Sequence, residues 1–205
     1  MVRVPRSALL LAVLLSGSAF AQVISTNTTW SGTVSLDRDV RVDPGVTLTV
    51  NPGTVITATT TDAANLGSVA NRVEIIVNGA LIVNGTSGSQ VTFTSAGSSA
   101  GSWQGIVINS GGTLNASSMI VEEASSGVQS SGTSTITNST LRTNTYGVWN
   151  LLGVTNVTGT LSTGNTYGVY GGGGTLTADH MTIVSNSYGA YSGSGSGSMT
   201  PDRPG

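Results

Sequence analysis

The sequence predicts an all-β protein: a single-stranded parallel β-helix, a solenoid whose coils are about 20–22 residues long. Three observations predict it. A seven-residue motif recurs every 21 residues: 144–150 reads NTYGVWN, 165–171 reads NTYGVYG and 186–192 reads NSYGAYS. The chain is rich in Gly (29) and only 8% charged, with Ser, Thr, Asn and Val prominent. Val and Thr suit a pleated surface, and Gly and Asn suit turns. The apolar segments are short, such as Ile106-Val107-Ile108 and Thr175-Leu176-Thr177, with Gly, Ser and Asn between them. Runs that short fit strands and not helices.

Other repeats of similar length fit less well. Leucine-rich repeats need a Leu-x-x-Leu-x-Leu spine, which is absent. Helical repeats need longer units and good helix formers.

In chain order, residues 1–21 come first. Arg3 and Arg6 precede an apolar run, and Ala19-Phe20-Ala21 fits the small-x-small cleavage pattern. This is the pattern of a secretory signal peptide, so a secreted or cell-surface location is expected. The run is shorter than the roughly 20 residues of a membrane span, so no span is expected after cleavage. There is no Cys, so a secreted chain must draw its stability from its fold.

Residues 22–192 are assigned to the β-helix. Within them, 22–44 form the first coil or its cap. Residues 46–53 and 80–85 read as strand-then-turn units, and Val91-Thr92-Phe93-Thr94 as a strand. Residues 57–72 break the rhythm and read as an inserted loop.

The regular part can be read in phase. Gly147, Gly168 and Gly189 share one phase, joined by Gly127 at a step of 20. Three residues upstream stand Asn144, Asn165 and Asn186, and one upstream stand Tyr146, Tyr167 and Tyr188. One downstream stand Val148, Val169 and Ala190, and two downstream Trp149, Tyr170 and Tyr191. A further series is Gly112, Gly132, Gly153 and Gly174. Successive coils pair about 4.8 Å apart, so residues of one phase stack. The Asn series is expected to form an amide ladder, and the two aromatic series two columns of offset-stacked rings. The phase-zero glycines are expected to supply positive φ in a turn. Val148, Val169 and Ala190 should face the core. The ladders read as scaffold, with Trp149, Tyr170 and Tyr191 as candidate sugar-stacking residues.

Residues 193–205 have linker composition and are expected to contain no strand. The last coil, 181–191, is apolar and free of charge and Pro, so end-to-end self-association through it is expected.

Three segments carry a family resemblance. Trp30-x-Gly-Thr-Val34 followed by 39–55 (DVRVDPGVTLTVNPGTV) resembles the opening of secreted bacterial right-handed parallel β-helix proteins of the pectate-lyase-like superfamily. Gly101-Ser-Trp-Gln-Gly-Ile106 is similar to their W-x-G-I strand, and 121–128 to the strand and turn that follow it. The resemblance spans nearly all of 23–192. It implies the right hand of the coil. It does not select an activity, because the superfamily holds pectate lyases, other polysaccharide-active enzymes and adhesins.

The sequence offers no catalytic, cofactor or metal residues. Glycoside hydrolysis needs two carboxylates roughly 5 Å or roughly 6.5–9.5 Å apart. In the regular part Glu122, Glu123 and Asp179 share no phase. The paired Asp and Gly-His-Gly patterns of the polygalacturonases are missing, as are the clustered Asp ligands and catalytic Arg of pectate lyases. With no Lys, there is little to bind an acidic polysaccharide, and no basic patch suggests nucleic acid. Asp37, Asp39, Arg41 and Asp43 would share a strand face, and a Ca²⁺ could use three such oxygens. The favoured reading is a solvated face with Arg41 tied to an Asp. Asp179-His180 holds the only His and reads as a surface turn.

Together these readings favour a non-enzymatic secreted or cell-surface module, structural or adhesive, whose partner is a polysaccharide or other surface component. The alternative is a carbohydrate-binding or carbohydrate-active β-helix whose catalytic part lies elsewhere. Ice binding is less favoured. Thr47/Thr49, Thr92/Thr94, Thr133/Thr135 and Thr175/Thr177 invite it, but the coil between Gly153 and Gly174 lacks the pair.

Overall fold

The computed structural model describes residues 22–193 and 198–200. Its strands follow one another in threes. The first coil holds β1 (Gln22–Ile24), β2 (Thr28–Trp30) and β3 (Thr33–Leu36), and the second β4 (Val40–Val42), β5 (Thr47–Val50) and β6 (Val55–Ala58). The third holds β7 (Glu74–Val77), β8 (Ala80–Asn84) and β9 (Val91–Ser95), and the fourth β10 (Trp103–Ile108), β11 (Thr113–Ser117) and β12 (Met119–Glu122). The fifth holds β13 (Ala124–Ser130), β14 (Thr133–Thr137) and β15 (Thr140–Arg142), and the sixth β16 (Tyr146–Asn150), β17 (Val154–Thr158) and β18 (Leu161–Thr163). Then come β19 (Tyr167–Gly171), β20 (Thr175–Asp179) and β21 (Thr182–Val184), followed by β22 (Tyr188–Ser192) and β23 (Ser198–Thr200).

Every third strand pairs, always in parallel, which gives three sheets of eight, eight and seven strands. The first runs from β1 to β22, the second from β2 to β23 and the third from β3 to β21. The chain is thus a parallel β-helix. The register is that of the repeat: Ile106, Val128, Val148, Val169 and Ala190 are successive partners, 20 to 22 residues apart.

Alternation along each strand sends one set of side chains into the bore. The second sheet contributes Val50, Val83, Ala116, Ile136, Val157 and Ala178 at one phase, and all six are buried. The third contributes Ile56, Phe93, Val121 and Leu141, also buried. Later coils bury hydroxyls as well; Ser126 Oγ is buried without a hydrogen-bond partner, but others are paired. Ser134 Oγ lies 2.9 Å from Ser130 Oγ, Thr155 donates to Asn150 Oδ1 at 3.0 Å, and Ser162 donates to the Gly168 carbonyl at 3.1 Å. A buried hydroxyl needs such a partner to avoid a desolvation penalty.

In the later coils the corners after the second and third sheets each turn on one residue in the left-handed region. Ser118 (φ 48°), Asn138 (49°), Gly159 (59°) and His180 (49°) occupy one corner, and Glu123 (64°), Thr143 (55°), Gly164 (65°) and Ser185 (56°) another.

Four expectations are revised here. The phase-zero glycines, Gly127, Gly147, Gly168 and Gly189, do not have positive φ. Close approach requires the first three: a Cβ on Gly127 would lie 2.7 Å from the carbonyl oxygen of Gly147, and one on Gly168 would lie 2.5 Å from that of Gly189, whereas one on Gly189 would have only Ile183 Cγ2 near it, at 3.5 Å. Ala190 is exposed, because no described strand covers it, whereas Val148 and Val169 are fully buried. The inserted loop begins later than expected, since β6 runs to Ala58 and β7 starts at Glu74. The segment of linker composition contains a strand: β23 pairs with β20, Ser198 opposite Thr175 and Thr200 opposite Thr177.

Candidate functional site: the outer face of the first sheet

The last three strands of the first sheet, β16, β19 and β22, bring the motif residues together. Asn144, Asn165 and Asn186 stand just before them, at the corner leaving the third sheet. Asn144 Oδ1 accepts the Ala124 amide at 2.9 Å, Asn165 Oδ1 accepts the Asn144 amide at 2.8 Å, and Asn186 Oδ1 accepts the Asn165 amide at 2.9 Å. The side-chain amides complete the chain. Asn144 Nδ2 donates to Asn165 Oδ1 at 3.1 Å, and Asn165 Nδ2 to Asn186 Oδ1 at 3.0 Å. Each Nδ2 also meets a carbonyl: Val121 at 3.0 Å, Leu141 at 2.9 Å and Ser162 at 2.9 Å. Asn144 and Asn165 are buried, so the ladder satisfies donors that water cannot reach.

Tyr146, Tyr167 and Tyr188 form a continuous stack. Successive ring centres are 4.9 and 4.8 Å apart, with interplanar angles of 8° and 12°. The second series differs from the expected column. Tyr170 and Tyr191 stack at 5.3 Å and 17°, but Trp149 meets Tyr170 edge-on at 6.1 Å and 86°. Trp149 instead lies over Tyr146, 4.9 Å away at 28°. The six rings form one cluster, because the two series also touch edge to face. The faces of Tyr146 and Tyr167 are occupied by neighbouring rings. Burial and the surrounding phenols raise the Tyr167 hydroxyl above its ordinary pKa. The Trp149 indole N–H is buried without a partner beside Gly172.

The remaining polar candidates lie apart. Glu122 pairs with Arg142 at 2.6 Å. Glu123, at the next corner, accepts from Thr94 Oγ1, the Ser95 amide and Ser95 Oγ at 2.9–3.1 Å. Asp179 contacts the exposed imidazole of His180 at 2.8 Å. Three of the Thr pairs lie on the second sheet, but Thr92 and Thr94 lie on the third, and Val154 and Asn156 interrupt the Thr columns between β14 and β20.

The acidic stretch before β4 does not form the expected shared face. β4 begins only at Val40. Asp37 pairs with Arg38, which lowers its pKa, and Arg41 pairs with Asp43 at 3.1 Å. Asp39 turns inward and is fully buried. Its Oδ2 accepts the amides of Leu66 and Gly67, and its Oδ1 that of Glu74, all at 2.7 Å. Glu74 is buried as well and accepts the amides of Val69 at 2.8 Å and Ser68 at 3.3 Å. Asp62 Oδ1 accepts from Asp39 at 3.1 Å and Ala64 at 3.0 Å. These carboxylates organise the inserted loop. Burial, reinforced by the nearby carboxylates, raises the pKa of both Asp39 and Glu74. Among the described residues no group of three acidic, His or Cys side chains could hold a metal ion.

Stacked parallel sheets with inter-coil polar and aromatic ladders define the class, a parallel β-helix. The family model for the pectate-lyase-like beta helix domain matches residues 22–187, and the chain belongs to that family. No curated protein and no solved structure matches it.

Proposed function

We propose that this β-helix is a non-enzymatic structural or adhesive module of an exported protein. The observation that carries this reading is the use made of its distinctive side chains. The Asn, Tyr and Gly series hold coil to coil, and the interior ring faces are covered by one another instead of standing open to a sugar. The acids support the same reading: Glu122 is paired with Arg142, Glu123 binds Thr94 and Ser95 at the end of β9, and Asp39 and Glu74 bind loop amides. Export is supported by the signal-type composition of residues 1–21.

The test is turnover. The chain without residues 1–21 is incubated with pectate, alginate and neutral glycans, with and without Ca²⁺. No lyase or hydrolase activity is expected. Activity that survives repurification and disappears in Glu122→Gln, Glu123→Gln or Asp179→Asn would overturn the proposal.

A further inference from the structure

β22 ends the first sheet: it pairs with β19, and no described strand pairs with its outer edge. All five of its residues are exposed. The rings show the same open end. Tyr167 is stacked on both faces, but Tyr188 has a stacked partner only on the Tyr167 side and is 51% exposed. Tyr191 is stacked on Tyr170 and is 44% exposed. Among the described residues the first- and third-sheet sides of the bore are left uncovered here. Ala190 is exposed and Met181 and Ile183 are only partly buried, whereas Ile24, Trp30 and Leu36 of the first coil are buried. Residues 181–193 contain no Lys, Arg, Asp, Glu or Pro, the residues that natural edge strands use to prevent pairing.

A head-to-tail contact would set this edge against β1, Gln-Val-Ile, which offers no ring. A second β22 fits better. Its sequence, Tyr-Gly-Ala-Tyr-Ser, places Tyr188 and Tyr191 symmetrically about the Gly189–Ala190 bond. Antiparallel pairing about that bond sets Tyr188 opposite Tyr191 of the second copy, and the reverse. Such a contact is isologous and closes at two copies, whereas a head-to-tail contact leaves an open filament. Aromatic pairs directly across antiparallel strands are among the favourable ones.

We infer that two copies of this chain associate tail to tail through β22, about a two-fold axis that extends the first sheet and covers Tyr188 and Tyr191.

Sedimentation velocity of the chain without residues 1–21 over a range of concentrations is the first measurement. A monomer–dimer equilibrium with nothing larger is expected, and Tyr188→Lys/Tyr191→Lys should sediment as a monomer with an unchanged circular dichroism spectrum. Cysteine pairing then reads the register, since the chain has no Cys of its own. Ser187 and Ser192 are equidistant from the proposed axis. A mixture of Ser187→Cys and Ser192→Cys chains should cross-link on mild oxidation, and neither should do so alone. A chain that stays monomeric at every concentration, open-ended oligomers, or cross-linking equally efficient within each single variant would overturn the inference.

Discussion

The carbonyl oxygen of Gly168 occupies the space in which a Cβ on Gly147 would stand. Ser162 Oγ and Asn165 Nδ2 close the site on its other sides, at 3.0 and 3.2 Å from that position. Both neighbours belong to hydrogen-bonded networks and cannot move cheaply. Gly147→Ala is therefore expected to destabilise the protein by about 1–3 kcal/mol, the usual cost of overpacking. Gly189→Ala is the control, because the nearest atom to its added Cβ is Ile183 Cγ2 at 3.5 Å. Chemical denaturation of the two variants should show a clear loss for the first and little change for the second.

Thr143 makes the opposite case. Its φ of 55° is an outlier for a β-branched residue, and Gly164 fills the next position of the same corner at 65°. The left-handed conformation costs an ordinary residue about 1–2 kcal/mol. Thr143→Gly is expected to stabilise the chain by about 1 kcal/mol, reduced by the extra freedom glycine gains when unfolded. A lower melting temperature would show that the Thr143 side chain contributes more than its strained backbone costs.

Acid should stabilise this protein. Asp39 and Glu74 have folded pKa values raised above the ordinary carboxylate range, mainly by burial. The folded state therefore binds more protons than the unfolded one just above that range. The associated stability is complete below the unfolded pKa and is lost as pH rises through the folded values. Asp37 has the opposite sign, but its carboxylate is largely exposed and solvent screens the effect. The urea midpoint is expected to rise on moving from neutral to mildly acidic buffer. A midpoint that falls over the same interval would contradict this placement of the two carboxylates.

The second half of the fold is legible in the sequence because its period is nearly uninterrupted. Tyr146, Tyr167 and Tyr188 are both equally spaced in sequence and direct partners in the first sheet. The first half is less legible because two coils are enlarged: Val40 to Ile75 spans 35 residues and Ile75 to Ile106 spans 31. The buried role of Asp39 was hidden for a related reason. Its partners are backbone amides 27, 28 and 35 residues away, and no side-chain pattern announces them. A column of glycines shows that space or torsion is restricted without showing which. Here close approach governs Gly147, while the left-handed corners hold Ser118, Glu123, Asn138 and Thr143. Asn150 was also missed. It lies outside the ladder, yet it is buried, donates to the carbonyls of Gly153 and Gly173 at 3.1 and 2.7 Å, and accepts from Thr155. Asn150→Ala should consequently be costly too.

The central claim is that residues of one phase form a continuous network in which each member's worth depends on its neighbours. Asn165 has an Asn in both adjacent coils and is buried, whereas Asn186 has one only on the Asn165 side and is partly exposed. Removing the Asn165 side chain leaves the buried Asn144 amide without an acceptor, a loss of about 1–3 kcal/mol. The direct measurement is the unfolding free energy of Asn165→Ala beside Asn186→Ala, made on each chain under conditions where it is monomeric. The account predicts the larger loss for Asn165→Ala. Equal losses, or a larger one for Asn186→Ala, would contradict it.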